Sequence, residues 1–211
     1  MIAYTASKIA TREFTAKAPL LPTRPQPLHF FAAGTEIYGQ NELAGCIYQV
    51  EFGAIRIYRL LADGRRQISS FHLPGETFGL EVDDRHHFCA EAISNCGIRK
   101  FSLASHPEMS GELLSLALQS LGRAQDHLLV LARQAACERV GAFLLELAER
   151  QGGTNMIELP MSRMDIGDYL GLTIETVSRI FSKLKEQGII RLPSLRCIEI
   201  MNWDALHSMN A

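Results

Sequence analysis

Glu175, Ser178, Arg179 and Ser182 fall at i, i+3, i+4 and i+7, so a helix over this stretch carries all four on one side. Their chemistry suits the edges of base pairs. A guanidinium can hold guanine O6 and N7 with two hydrogen bonds, a carboxylate can accept from cytosine N4, and a serine can meet a base edge or a thymine methyl. Glu175 and Arg179, four apart, can also brace each other, and a plain solvated face with an ion pair has the same spacing. The stripe therefore takes its meaning from the elements that position it.

Those elements lie in 160–190, PMSRMDIGDYLGLTIETVSRIFSKLKEQGII. Val177, Ile180, Phe181 and Leu184 form a second stripe at the same spacing, opposite the polar one, which predicts a helix with one face in a core. Thr173 can cap it. A shorter helix precedes it, with Ser162 and Asp165 in capping-box positions, and Gly171-Leu172-Thr173 makes the turn between them. Helix, glycine turn and a helix with a polar outer face make a helix-turn-helix over about 162–186, whose second helix enters a DNA major groove.

Composition sets bounds on the rest. The chain has 211 residues and a formal net charge of -2, so any attraction to phosphates must come from where cations are placed rather than from total charge. Five cysteines, an odd number in a chain this large, suit free thiols in a reducing cytoplasm. No apolar run approaches a membrane span, and the first residues lack the pattern of a secretory signal. No P-loop, dinucleotide fingerprint or nucleophile elbow occurs, so no enzyme and no catalytic residue is expected.

Residues 1–27 hold Pro19, Pro22, Pro25 and Pro27 and are expected to form a mobile arm. Residues 28–106 read as short strands between turns, with two strands joined at Gly53, a hairpin loop over 61–65 and a strand over 67–73. That pattern suggests a sandwich or barrel. Residues 107–136 carry Leu114, Leu121 and Leu128 seven apart, with Ala117, Ala124 and Leu131 at the complementary positions. This is a seam for a partner helix, although a helix lying on its own sandwich would show similar periodicity. Residues 137–211 hold the helix-turn-helix, an opening helix over 137–151 with a hinge at 135–138, a short strand over 156–159, and a two-stranded wing turning at Pro193-Ser194. Lys183, Arg191 and Arg196 are candidate phosphate contacts. His86, His87 and Glu91 invite a metal reading, but neighbouring residues on a strand point to opposite faces, so no metal is expected. Cys89 and Cys96 read as buried small apolar residues.

The residues Arg163, Ile166, Leu170, Gly171, Thr173, Glu175, Thr176, Val177, Arg179, Leu184 and Gly188-Ile189-Ile190 resemble the recognition unit of the CRP/FNR family of bacterial transcription regulators. The resemblance implies an α+β architecture. It begins with a β-roll (jelly-roll) of the cyclic-nucleotide-binding type, in which Gly53, Gly75-Glu76 and Gly79 match turn glycines. A long dimerisation helix follows, then a C-terminal winged helix-turn-helix. It also implies Glu175, Ser178 and Arg179 as base readers on TTGA-type half-sites. Arg163 and Thr173 would contact phosphates, with Thr176 and Lys183 beside them, and the partners would be double-stranded DNA, a second copy of the chain and RNA polymerase. Asp83-Asp84-Arg85 is the candidate polymerase surface.

Where nucleotide-binding members place a glutamate and an Arg-Ser pair, this chain has Leu80 and His87-Phe88, which argues against cyclic AMP; Glu81 lies one position late. The first cysteine is Cys46, so the arm lacks the iron–sulfur cysteines of some members, and no cofactor is expected. Ser162 stands where some relatives carry an oxidation-sensitive cysteine. The runs 73–81, 89–93 and 172–179 look like the nitrogen-fixation branch of the family, whose members act mainly as activators in microoxic cells without a known effector. A ligand- or redox-gated sensor of the same family is the alternative.

Overall fold

The computed structural model describes residues 26–103 and 110–209. Most of the expected arm and the first part of the predicted long helix lie outside them. The N-terminal half consists of β1 (Leu28–Phe31), β2 (Glu36–Tyr38), β3 (Cys46–Phe52), β4 (Ile55–Leu60), β5 (Arg66–His72), β6 (Thr77–Phe78), β7 (Cys89–Ala92) and β8 (Cys96–Ser102). They form two antiparallel sheets, ordered β1-β8-β3-β6 and β2-β7-β4-β5. Tyr38, Tyr48, Val50, Ile55, Ile57, Phe78 and Ile98 fill the space between the sheets, as alternation along each strand demands. Gly53, at φ 82°, makes the β3–β4 turn, where a Cβ would sit 2.5 Å from the Asn95 carbonyl oxygen. Only glycine fits that position.

Next come α1 (Ser110–Leu131), α2 (Ala136–Arg150), β9 (Met156–Glu158), α3 (Arg163–Leu170), α4 (Ile174–Glu186), β10 (Ile190–Ser194), β11 (Cys197–Ile200) and α5 (Trp203–Ser208). The fold is the expected α+β one, a β-roll, then helices, then a winged helix-turn-helix. Three details differ from the sequence reading. Helix α1 ends at Leu131 rather than 136, and the break falls at 132–135, ahead of the expected hinge. Arg139 Nε donates to the Arg133 carbonyl there, at 2.9 Å. The wing turns at Leu195-Arg196, and Pro193-Ser194 belong to β10. Proline is tolerated there because β10 is an edge strand of the sheet β10-β11-β9 and its register shifts between Arg191 and Ser194. Helix α5, capped by Asn202 Oδ1 accepting from the Ala205 amide, was not anticipated.

One core runs through both halves. Ile68, Phe71 and Leu73 of the roll belong to the same buried cluster as Val140, Phe143, Leu144, Tyr169, Val177 and Phe181. Helix α1 touches the roll through Leu113 and Leu116, which pack against Ile47 and Phe101. Its seam lies open: Leu114, Leu121 and Leu128 are 62%, 54% and 64% exposed, while Leu116 is 5% exposed. Ala117 and Ala124 are also exposed, and Leu131 is half-buried. Leu118 and Leu129, absent from the predicted seam, widen the exposed apolar stripe.

Candidate nucleic-acid interface

Helix α3 is closed at its start by a complete capping box. Ser162 Oγ accepts from the Asp165 amide at 3.1 Å, and Asp165 Oδ2 accepts from the Ser162 amide at 2.9 Å. Gly171, at φ 65°, ends it in the left-handed region. A glycine that sequence reading overlooked fixes the turn: a Cβ on Gly167 would lie 2.6 Å from the Leu172 carbonyl oxygen. Helix α4 then starts at Thr173, whose Oγ1 accepts from the Thr176 amide at 3.2 Å. The two hydroxyls of Thr173 and Thr176 lie 3.1 Å apart.

Val177, Ile180, Phe181 and Leu184 are buried, and Glu175, Ser178, Arg179 and Ser182 are exposed on the other side. Both stripes stand as their spacing requires. Hydrogen bonds from its own amide and the Thr173 hydroxyl, then the charge of Arg179, hold the Glu175 carboxyl below the usual range. The outer face thus presents an anion and a cation one turn apart.

The expected phosphate residues are placed unequally. Thr173 and Lys183 are exposed and Thr176 half-buried along α4. Arg163, half-buried, lies with its guanidinium carbon 3.4 Å from the Phe181 ring centroid, and its Nη1 is buried without a hydrogen-bond partner among the described residues. Burial pushes its pKa down to about 10. Arg191 pairs with Glu199, and Arg196 donates to the Pro160 carbonyl, so both wing arginines are engaged within the protein.

In the roll, a cavity of about 410 Å³ lies under α1, lined by Gly79, Leu80, Glu81, Phe88, Arg123 and His127 among others. His86 is buried, stacked on Tyr38 at 3.6 Å, with Nδ1 3.2 Å from Glu81 Oε1. His87 faces outward, with Nε2 2.9 Å from Asp83 Oδ2. The two histidines do part, but in an irregular segment before β7 rather than by strand alternation. Glu91 pairs with Arg56. Among the described residues no cluster of histidine, cysteine and carboxylate could hold a metal ion. Cys89 and Cys96 are buried, and burial pushes the Cys96 thiol up to about 11.

A Crp-like helix-turn-helix domain model matches residues 138–209, and a cyclic nucleotide-binding domain model matches 28–106. The chain is 51% identical, over 99% of its own length and 99% of the relative's, to the nitrogen fixation regulation protein FixK of Rhizobium meliloti. It is 47% identical to the FixK of Azorhizobium caulinodans over 86% of this chain and 78% of that protein. The solved structure of FixK2 from Bradyrhizobium japonicum aligns with a TM-score of 0.84 at 44% identity, covering 89% of this chain and 98% of that one. The chain belongs to the CRP/FNR family of transcription regulators. Within that family it is FixK-like, a regulator with a helix-turn-helix DNA-binding domain and not an enzyme. Among the described residues no helix is long and apolar enough to cross a membrane.

Proposed function

We propose that two copies of the chain join along the exposed α1 stripe. Each copy sets Glu175, Ser178 and Arg179 into one of two successive major grooves of a TTGA-N6-TCAA-type palindrome, about one helical turn apart. Arg163, Thr173, Thr176 and Lys183 then hold the flanking phosphates. In this reading the protein is a cytoplasmic homodimer acting mainly as an activator of microoxic respiration and nitrogen-fixation genes. The exposed loop at Asp83-Asp84-Arg85 is offered to RNA polymerase. The names carried by the two FixK relatives support the gene class.

The observation that carries the reading is the division of α4, with four apolar side chains buried on one face and a glutamate, two serines and an arginine exposed on the other. Exposed leucines on α1 supply the surface a two-fold dimer needs. Independence from an effector is supported by the polar groups at 81–87 being engaged within the protein. Glu81 accepts from the His87 amide and meets His86, while Arg85 turns outward to the Asn41 carbonyl. The cavity of about 410 Å³ is the observation that favours the gated-sensor alternative.

Fluorescence anisotropy at fixed salt separates the two. Wild type should bind a TTGA-N6-TCAA duplex tightly and ignore added cyclic AMP, and it should bind TGTGA half-sites weakly. Binding that requires the nucleotide, or that prefers the second duplex, would replace the reading. Placing a charge at Leu121 should give monomers in sedimentation and weaken binding to the palindrome.

A further inference from the structure

The covalent link between α1 and the DNA-binding half is weak as a geometric constraint. The chain breaks at 132–135, and Ala135, at the N-cap of α2, supplies no side-chain hydrogen bond. The direction in which α4 points, relative to the α1 stripe, must therefore be set by side chains.

Some act from α2, where Arg150 donates to the Phe71 carbonyl and to Glu76, and others converge on α3. Arg56 of β4 donates from Nη1 to Asp165 Oδ1 at 2.8 Å. Arg66 of β5 donates from Nη2 to the same oxygen at 2.6 Å and from Nε to Asp168 Oδ2 at 2.9 Å. Gln67 Nε2 donates to the Asp168 carbonyl at 2.8 Å. On another side, His127 of α1 stacks on Tyr169 of α3 with centroids 3.9 Å apart. Leu113 and Leu116 tie α1 back to the roll, so α1, roll and α3 close a ring of contacts. The tight turn at Gly167 makes α4 follow α3.

Buried ion pairs contribute little net stability, because desolvation offsets the attraction, but separating the partners is costly because it leaves a buried charge unmet. Here Asp165 is 2% exposed, and Arg56 leaves its Nε buried without a hydrogen-bond partner among the described residues. Burial alone would raise the Asp165 carboxyl pKa, yet hydrogen bonds from Ser162 and the charges of Arg56 and Arg66 hold it below its ordinary value.

We propose that Asp165, clamped by Arg56 and Arg66, is a positioning residue that fixes the reading helix against the dimer helix and thereby sets which spacing of half-sites the protein accepts. This rests on the palindrome reading above. The clamp is built from the chain's own side chains, so the arrangement needs no ligand.

The test uses the full-length protein and the variants Arg66→Gln and Asp168→Asn, which leave the capping box intact. Anisotropy is read on TTGA-N6-TCAA, on the same palindrome with two base pairs added to the spacer, and on a single half-site at low salt. Wild type should discriminate between the two spacings by about a hundredfold, and Arg66→Gln by less than about tenfold with half-site affinity kept within about twofold. Asp168→Asn should show a smaller loss in the same direction. Calorimetry without DNA should show one cooperative transition in wild type and in Arg66→Gln, because the apolar core shared by the two halves is intact in both. Unchanged spacing preference in both variants, or half-site binding that falls in step with the palindrome, would overturn the clamp. A wild type that discriminates no spacing while still unfolding cooperatively would instead overturn the palindrome reading.

Discussion

Helices α3 and α4 differ by five residues in length and by much more in how they are held. Most of α3 is buried, and its two carboxylates are taken by arginines of the roll sheet β2-β7-β4-β5. The outer face of α4 carries its charges into solvent. The adjacent helices contrast: one is bonded into the rest of the molecule, and the other leaves its polar face in solvent. Changes on α3 should therefore appear first as lost stability, and changes on α4 as lost recognition.

The largest effect should come from Asp165→Ala. It removes the capping-box acceptor and leaves Arg56 and Arg66 without their shared anion, so unfolding by denaturant should show a loss of about 3–5 kcal/mol. Strand β5, whose Arg66 and Gln67 hold α3, offers a second way to break the contrast, through pH. His72 is 8% exposed, its Nδ1 has no hydrogen-bond partner among the described residues, and burial pushes its pKa down to about 4 from the ordinary 6.5. The unfolded chain takes up a proton before the folded one does. Stability is therefore full above about 6.5 and is lost as pH falls toward 4, by about 3 kcal/mol from His72. His127, also held at about 4 by burial, adds in the same direction. A His72→Leu variant should lose less across that window in pH-dependent melts, which isolates the His72 share.

On α4 the expected pattern reverses. Arg179→Ala should weaken binding to the matched half-site by about 1–3 kcal/mol and relax preference at one guanine, with stability within about 0.5 kcal/mol of wild type. Equal weakening on every sequence would remove it from base reading. The smallest change should be Lys183→Ala, which lowers affinity uniformly and reduces the slope of log affinity against log salt by about 1. A salt titration in anisotropy reads it directly.

The helix-turn-helix was legible because each of its parts has a local cause. Ser162, Asp165, Gly171 and Thr173 mark the ends, and two opposed stripes mark the faces. The roll was legible as strands and turns, though β1 and β8, which pair from Leu28↔Arg99 to Phe31↔Cys96, could not be matched without topology. The end of α1 carries no glycine or proline, so its stop at Leu131 left no sequence signal. Proline at 193 looked like a turn because its tolerance depends on β10 lying at a sheet edge. Asp165 was read as a cap, but its second role needs Arg56 and Arg66, about a hundred residues away in the chain. Arg163 was read as a phosphate contact, and its stacking on Phe181 depends on how α3 crosses α4.

The shared carboxylate of Asp165 also bears on how this chain can be recombined. A graft joining residues 136–209 to a foreign roll would carry a buried anion toward a surface with no arginines to meet it. Such a hybrid should misfold or dock loosely unless the counterparts of Arg56 and Arg66 travel with it. In this regulator the two halves change partners only as a matched set.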